Sequence, residues 1–250
     1  MQFGMEQFKF PELDVNSFIP NTIPKNLRLG HQIEYVCKQL LDASEKYEVL
    51  LHNIPIQKEK QTIGEIDFII QEIATQQLVH VELTYKFYII DTEIKDPILQ
   101  LIGPNRCDAF NVKLAKIKND QFSLIHTDIG RTTLLKKGIN TSNIQQQVCY
   151  KAQLFQPYKS LLLDIQPLNS HCIVGYWLRI TEFNSAEFRH QKFYVPSKSE
   201  WVLDPIKAVE WVTHDAASIA IEECIQHQRS PMLWMKKSET KLEKFFVVYW

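Results

Sequence analysis

Two strings in this chain, GEIDFII at Gly64–Ile70 and VHVELTYKFYII at Val79–Ile90, constrain the fold more than any other feature. Both alternate apolar and polar residues, the period of a half-buried strand. In the first, Ile66, Phe68 and Ile70 point one way and Glu65 and Asp67 the other. In the second, Val81, Leu83, Tyr85, Phe87 and Ile89 oppose His80, Glu82, Thr84 and Lys86. The polar residues Ala74–Gln77 between them suit a tight turn centred near Ala74–Thr75. Such a centre sets Asp67 directly opposite Glu82, with Cβ atoms roughly 4.5–5.5 Å apart. Like charges in that position repel, and a divalent cation between them would turn the repulsion into shared ligation.

Around the hairpin the pattern predicts an α/β order. After an extended start punctuated by Pro11, Pro20 and Pro24, the apolar stripe Leu29, Ile33, Val36, Cys37, Leu40 and Leu41 predicts a helix over Leu27–Lys46. Tyr47–Gln57 reads as a strand, Cys107–Lys118 as a helix after the turn Gly103-Pro104-Asn105, and Phe122–His126 as a short strand. In the second half, Ser142–Phe155 reads as a helix, and His171–Ile180 and Lys192–Val195 as strands. Ala208–Gln228 reads as a helix broken near His214, and Lys244–Trp250 as a last strand. No linker rich in Gly, Ser or Pro divides the chain. The reading is a core over 1–130, with its N-terminal arm, and a C-terminal α+β extension over 131–250 packed on it, with one continuous domain as the alternative.

The length of 250 residues, 45% hydrophobic and 23% charged, is that of an ordinary globular chain. No apolar run approaches the ~18 residues of a membrane span, and MQFGMEQFKFPEL lacks the basic start and apolar core of a signal peptide. Cys37, Cys107, Cys149, Cys172 and Cys224 are scattered and show no CxxC spacing, so they read as buried thiols in a reducing compartment, the cytoplasm. The net charge of −1 conceals an asymmetry. Residues 1–105 carry 9 basic and 15 acidic side chains, whereas residues 106–159 carry 9 basic and 3 acidic. Arg106, Lys113, Lys116, Lys136 and Lys137 belong to that basic stretch. An acidic hairpin followed by a basic segment suits a metal site beside a phosphate-binding surface. A solvated helix face accounts for the lysines equally well. Phosphate loops, dinucleotide fingerprints and nucleophile elbows are missing from the sequence.

The order of a helix with Glu34, a strand, the string GEID, and a strand with a glutamate and a lysine resembles the PD-(D/E)XK nuclease superfamily. GEIDFII is particularly similar to the matching segment of its Holliday-junction-resolvase-like members. TIGEIDFII, HVELTYKFY and GPNRCDAFNVKLAKI together resemble, over most of the chain, the bacterial domain-of-unknown-function family number 1853, which is grouped with that superfamily. The superfamily resemblance covers roughly residues 27–128. It implies a restriction-endonuclease-like core with α-β-β-β-α-β topology. It also implies that Asp67, Glu82 and Glu34 are ligands of Mg²⁺ or Mn²⁺. The superfamily's lysine follows the glutamate by two positions, where this chain has Thr84. Lys86 lies two residues further on the same face, about 7 Å along the strand, and its flexible arm could reach back. Gln146 and Tyr150 also resemble a Gln-x-x-x-Tyr pattern of nucleases attached to recombination helicases. Glu65 reads as structural and His80 as a surface histidine.

These features set up a metal-dependent nuclease acting on DNA, with Asp67, Glu82 and Lys86 catalytic. A degenerate nuclease-like fold that binds nucleic acid or protein, and a purely structural module, stand as alternatives. Fold resemblance alone does not choose among them.

Overall fold

The computed structural model describes every residue except 15, 17, 25, 162 and 207. The fold is mixed α and β, and the described residues form ten strands joined mostly by antiparallel ladders. In chain order the elements begin β1 (Glu6–Gln7), α1 (Leu29–Asp42), β2 (Tyr47–Lys58), β3 (Gln61–Glu72), β4 (Leu78–Ile90) and β5 (Leu101–Ile102). Next come α2 (Phe110–Lys116), a π-helical turn (Ile117–Gln121), α3 (Phe122–Leu124), α4 (Asp128–Leu135) and β6 (Gln145–Pro157). The chain finishes with β7 (Ile173–Arg179), α5 (Ile180–Phe183), β8 (Lys192–Tyr194), α6 (His214–Gln226), β9 (Met232–Lys236) and β10 (Leu242–Val248). Among the described residues no helix is long and apolar enough to cross a membrane.

The chain divides into two compact units that interleave: Met1–Tyr85 with Leu114–Lys151, and Lys86–Lys113 with Ala152–Trp250. Strands β4 and β6 contribute residues to both. In the first unit the strand order is β2-β3-β4-β6, with β1 parallel to the first residues of β6. In the second, β7 runs parallel to the end of β6, and β10, β9 and β8 follow.

The hairpin forms in the register that its alternation predicts. Pairs from Gln71↔Leu78 to Phe68↔Val81 centre the turn between Ala74 and Thr75. Helix α1 lays Cys37 and Leu41 on Tyr47, Phe68, Ile70, Val79, Val81 and Leu83. A second cluster holds Ile54, Ile56, Ile66 and Ile69 against Leu124, Ile125, Leu134 and Ile139. Burying each such side chain fully contributes roughly 1.5–3 kcal/mol. In the second unit Phe183, Phe188, Phe193 and Phe245 pack with Leu178, Ile221 and Val247.

Four expectations from the sequence are corrected. Phe122–His126 is not a strand: α2, the π-helical turn and α3 run as one helical segment from Phe110 to Leu124. Its short apolar run is buried because it caps the core, with Phe122 beside Met5, Ile117 and Val148. Ser142–Phe155 is not a helix but holds most of β6, in which Val148 and Cys149 enter different clusters on opposite faces. A strand buried on both faces shows no alternation. The break near His214 is instead the start of α6, where the Thr213 side chain accepts the Ala216 N–H. Strand β9, MLWMK, with four of its five residues buried, had no periodic signal. All five cysteines are free, as expected, but only Cys37 and Cys149 are buried, and Cys107 is exposed.

Candidate functional site

Asp67 and Glu82 are the buried acids of the hairpin, 7% and 1% exposed. The β3–β4 ladder stops at Phe68↔Val81, one pair short of them. Beyond that point Asp67 Oδ2 accepts the Leu83 N–H at 2.8 Å, so a carboxylate takes an amide that a regular ladder would give to a carbonyl. The side-chain alternation also slips here. Ile66 joins the cluster of Leu124, whereas Phe68 and Ile70 join that of Leu41. An added Cβ at Gly64 would meet Leu124, which places Gly64 with Ile66. The expected single polar face carrying both Glu65 and Asp67 is therefore broken. Across β2 the matching irregularity is Asn53, whose φ of 49° lies in the left-handed region.

Glu82 is held from two sides. Its Oε1 lies 2.8 Å from His80 Nε2, and its Oε2 accepts Gln121 Nε2 from the π-helical turn. Single-turn π segments inside helices are frequent at functional sites. His80 is fully buried, a correction to its reading as a surface histidine. Its ring packs edge-on to Phe122, 5.8 Å between centroids. Burial pulls the His80 pKa down to about 3, so the ring is neutral at ordinary pH. Gln146 Nε2 contacts His80 Nδ1 at 3.0 Å and the Phe122 carbonyl at 2.7 Å.

Glu34 stands on α1 and accepts Asn53 Nδ2 at 3.1 Å through Oε2, which also lies 3.0 Å from His31 Nδ1. That hydrogen bond and the Glu34 charge raise the His31 pKa above its usual value. Among the described residues, His31, Glu34 and Glu65 form the one trio of histidine and carboxylate donors lying within 4.8 Å of one another. Glu65, read as structural, thus shares the α1 side with Glu34. Carboxylate oxygens of this kind suit a hard divalent cation, and a histidine nitrogen is better matched to Mn²⁺ than to Mg²⁺.

Lys86, in the second unit, pairs with Asp108 at 2.5 Å, and both side chains are about a third exposed. The basic residues divide between the units. Arg106 stacks on Trp250, its guanidinium carbon 3.6 Å from the ring centroid, and lies 3.9 Å from an Asp91 oxygen. Lys113 is half-buried, while Lys116, Lys136 and Lys137 are exposed. Sequence reasoning missed Gln121 altogether and gave His80 no role. The signal for both lay in the helical character of residues 117–124, which would have covered the polar face of β4.

The family described as a domain of unknown function, DUF1853, matches residues 14–248. No curated protein matches the chain, and neither does any solved structure. With nearly the whole sequence inside that match, the chain belongs to the DUF1853 family.

Proposed function

We propose that this protein is a metal-dependent phosphodiesterase of the PD-(D/E)XK type acting on DNA. The observation that carries the reading is the pair of buried carboxylates at neighbouring hairpin positions, Asp67 and Glu82. Asp67 and Glu82 would hold Mg²⁺ or Mn²⁺; Glu34, expected with them, has its donor atom grouped instead with those of His31 and Glu65. When bound, the cation would activate a water and polarise the scissile phosphate. The superfamily resemblance gives Lys86 the part of offsetting charge developing on that phosphate. Lys116, Lys136 and Lys137 would contact backbone phosphates without reading sequence.

The Lys86–Asp108 pair supports a second reading, a degenerate nuclease-like module that binds without cleaving. One set of measurements separates the two. Under the enzyme reading Mn²⁺ raises the melting temperature of the parent by mass action and leaves that of Asp67→Asn unchanged. Cleavage of linear, nicked and branched DNA then requires metal and is lost in Asp67→Asn and Lys86→Ala. Metal stabilisation with no cleavage of any substrate selects the binding module. A folded parent with no metal response overturns both.

A further inference from the structure

The hydrogen bonds behind Glu82 have a direction, and one backbone carbonyl sets it. The Phe122 oxygen can only accept, so the Gln146 group 2.7 Å from it is the amide nitrogen. At the other end of that amide, Oε1 faces His126 Nε2 at 3.3 Å, the arrangement that this orientation requires. The amide nitrogen carries two protons. One goes to Phe122, and the other points at His80 Nδ1, 3.0 Å away. Nδ1 must therefore be the bare, accepting nitrogen, and the ring proton sits on Nε2, 2.8 Å from Glu82 Oε1. All the groups lie in the first unit, and His80 has no solvent-exposed surface through which water could supply another partner.

We propose that Gln146 is a positioning residue: it fixes the Nε2–H tautomer of His80, which with Gln121 orients the Glu82 carboxylate. What Glu82 is oriented for rests on the metal-binding reading above. Groups that orient a metal ligand from behind typically change affinity by roughly 10–100-fold when removed. Gln146 lies in β6, 64 residues beyond Glu82, and reaches it through His80.

The test is the proton's location in the intact protein. Long-range ¹H–¹⁵N correlation of ¹⁵N-histidine-labelled protein, with the His80 signals identified by their loss in His80→Gln, reports which ring nitrogen is protonated. The expected result is protonated Nε2 and an accepting Nδ1. In Gln146→Glu an ionised carboxylate can only accept, so Nδ1 is expected to become protonated. Mn²⁺ affinity, followed by calorimetric titration, should fall roughly 10–100-fold in Gln146→Glu and in His80→Leu. His80→Gln, whose amide can donate from the position of Nε2, should recover most of it. A parent ring protonated at Nδ1, or a Gln146→Glu ring still protonated at Nε2 alone, overturns the inference whatever the metal does. Unchanged Mn²⁺ affinity in His80→Leu overturns it as well. A parent that takes no Mn²⁺ instead removes the metal-binding reading, and the tautomer still decides the relay.

Discussion

Lys244 is a cation almost wholly withdrawn from water, 5% exposed in β10. Its ammonium donates to Gln153 Oε1 and to the Trp201 carbonyl, both at 2.6 Å, and sits 5.1 Å from the centre of the Trp234 ring. Burial pulls its pKa down to about 8 from the usual 10.5. The unfolded chain therefore binds this proton between pH 8 and 10.5 while the folded one releases it. Stability attributable to Lys244 rises with pH across that window and is flat below it. Lys244→Met removes the effect. Urea denaturation of parent and variant should show the parent gaining about 2 kcal/mol relative to Lys244→Met between pH 8 and pH 10. Equal pH dependence in the two proteins would contradict the assignment. The hairpin's turn and register were legible in the sequence because alternation and turn position fix them, whereas the slip between Ile66 and Phe68 was not. Burial of His80 was not, because a strand's polar face looks solvated until the element covering it is known. That element is the helical segment ending at Leu124, part of which reads as a strand, so one misassignment hid both His80 and Gln121.

At the scale of elements, two glycines mark different tolerances. Gly175 in β7 lies beside β10, where an added Cβ would come 2.0 Å from the Lys244 carbonyl oxygen. Two backbones cannot separate there without opening the parallel pairs that begin at Phe245↔Tyr176. Gly64 in β3 would place its Cβ 2.8 Å from Leu124 Cδ2, the end of a side chain that can rotate. Gly175→Ala should destabilise by more than about 2 kcal/mol, in the range of overpacking. Gly64→Ala should cost less than about 1 kcal/mol, since alanine also recovers some of glycine's backbone entropy. Chemical denaturation of both variants checks the order. The strands around these positions differ in legibility for a related reason. Strands β2 to β4 announce themselves by alternation, whereas β6 carries Val148, Ala152 and Phe155 at the spacing of a helix face. Only its neighbours on both sides make it a strand, and that is tertiary information.

For the whole molecule the decisive feature is that each unit draws on two stretches of chain. The sequence offers no linker, and a cut near residue 130 is what its element order suggests. The first unit, however, includes β6 residues through Lys151, among them buried Val148 and Cys149 and the relay residue Gln146. The second includes residues 86–113, where the Ile90 carbonyl accepts the Trp177 indole N–H at 3.0 Å and Tyr88 packs on Phe110, 6.0 Å between centroids. A fragment of residues 1–130 would thus lack a strand of its own sheet, and one of 131–250 would lack part of its core. Exposed edges and uncovered apolar faces of this kind do not sustain a folded state. Both fragments, expressed separately, should give collapsed amide dispersion in ¹H–¹⁵N spectra and no cooperative melt, while the full chain gives both. Mixing them should restore dispersion, because each supplies the segment the other lacks. A cooperative melt from residues 1–130 alone would show that β6 is dispensable to the first unit, and with it the Gln146 arm of the site.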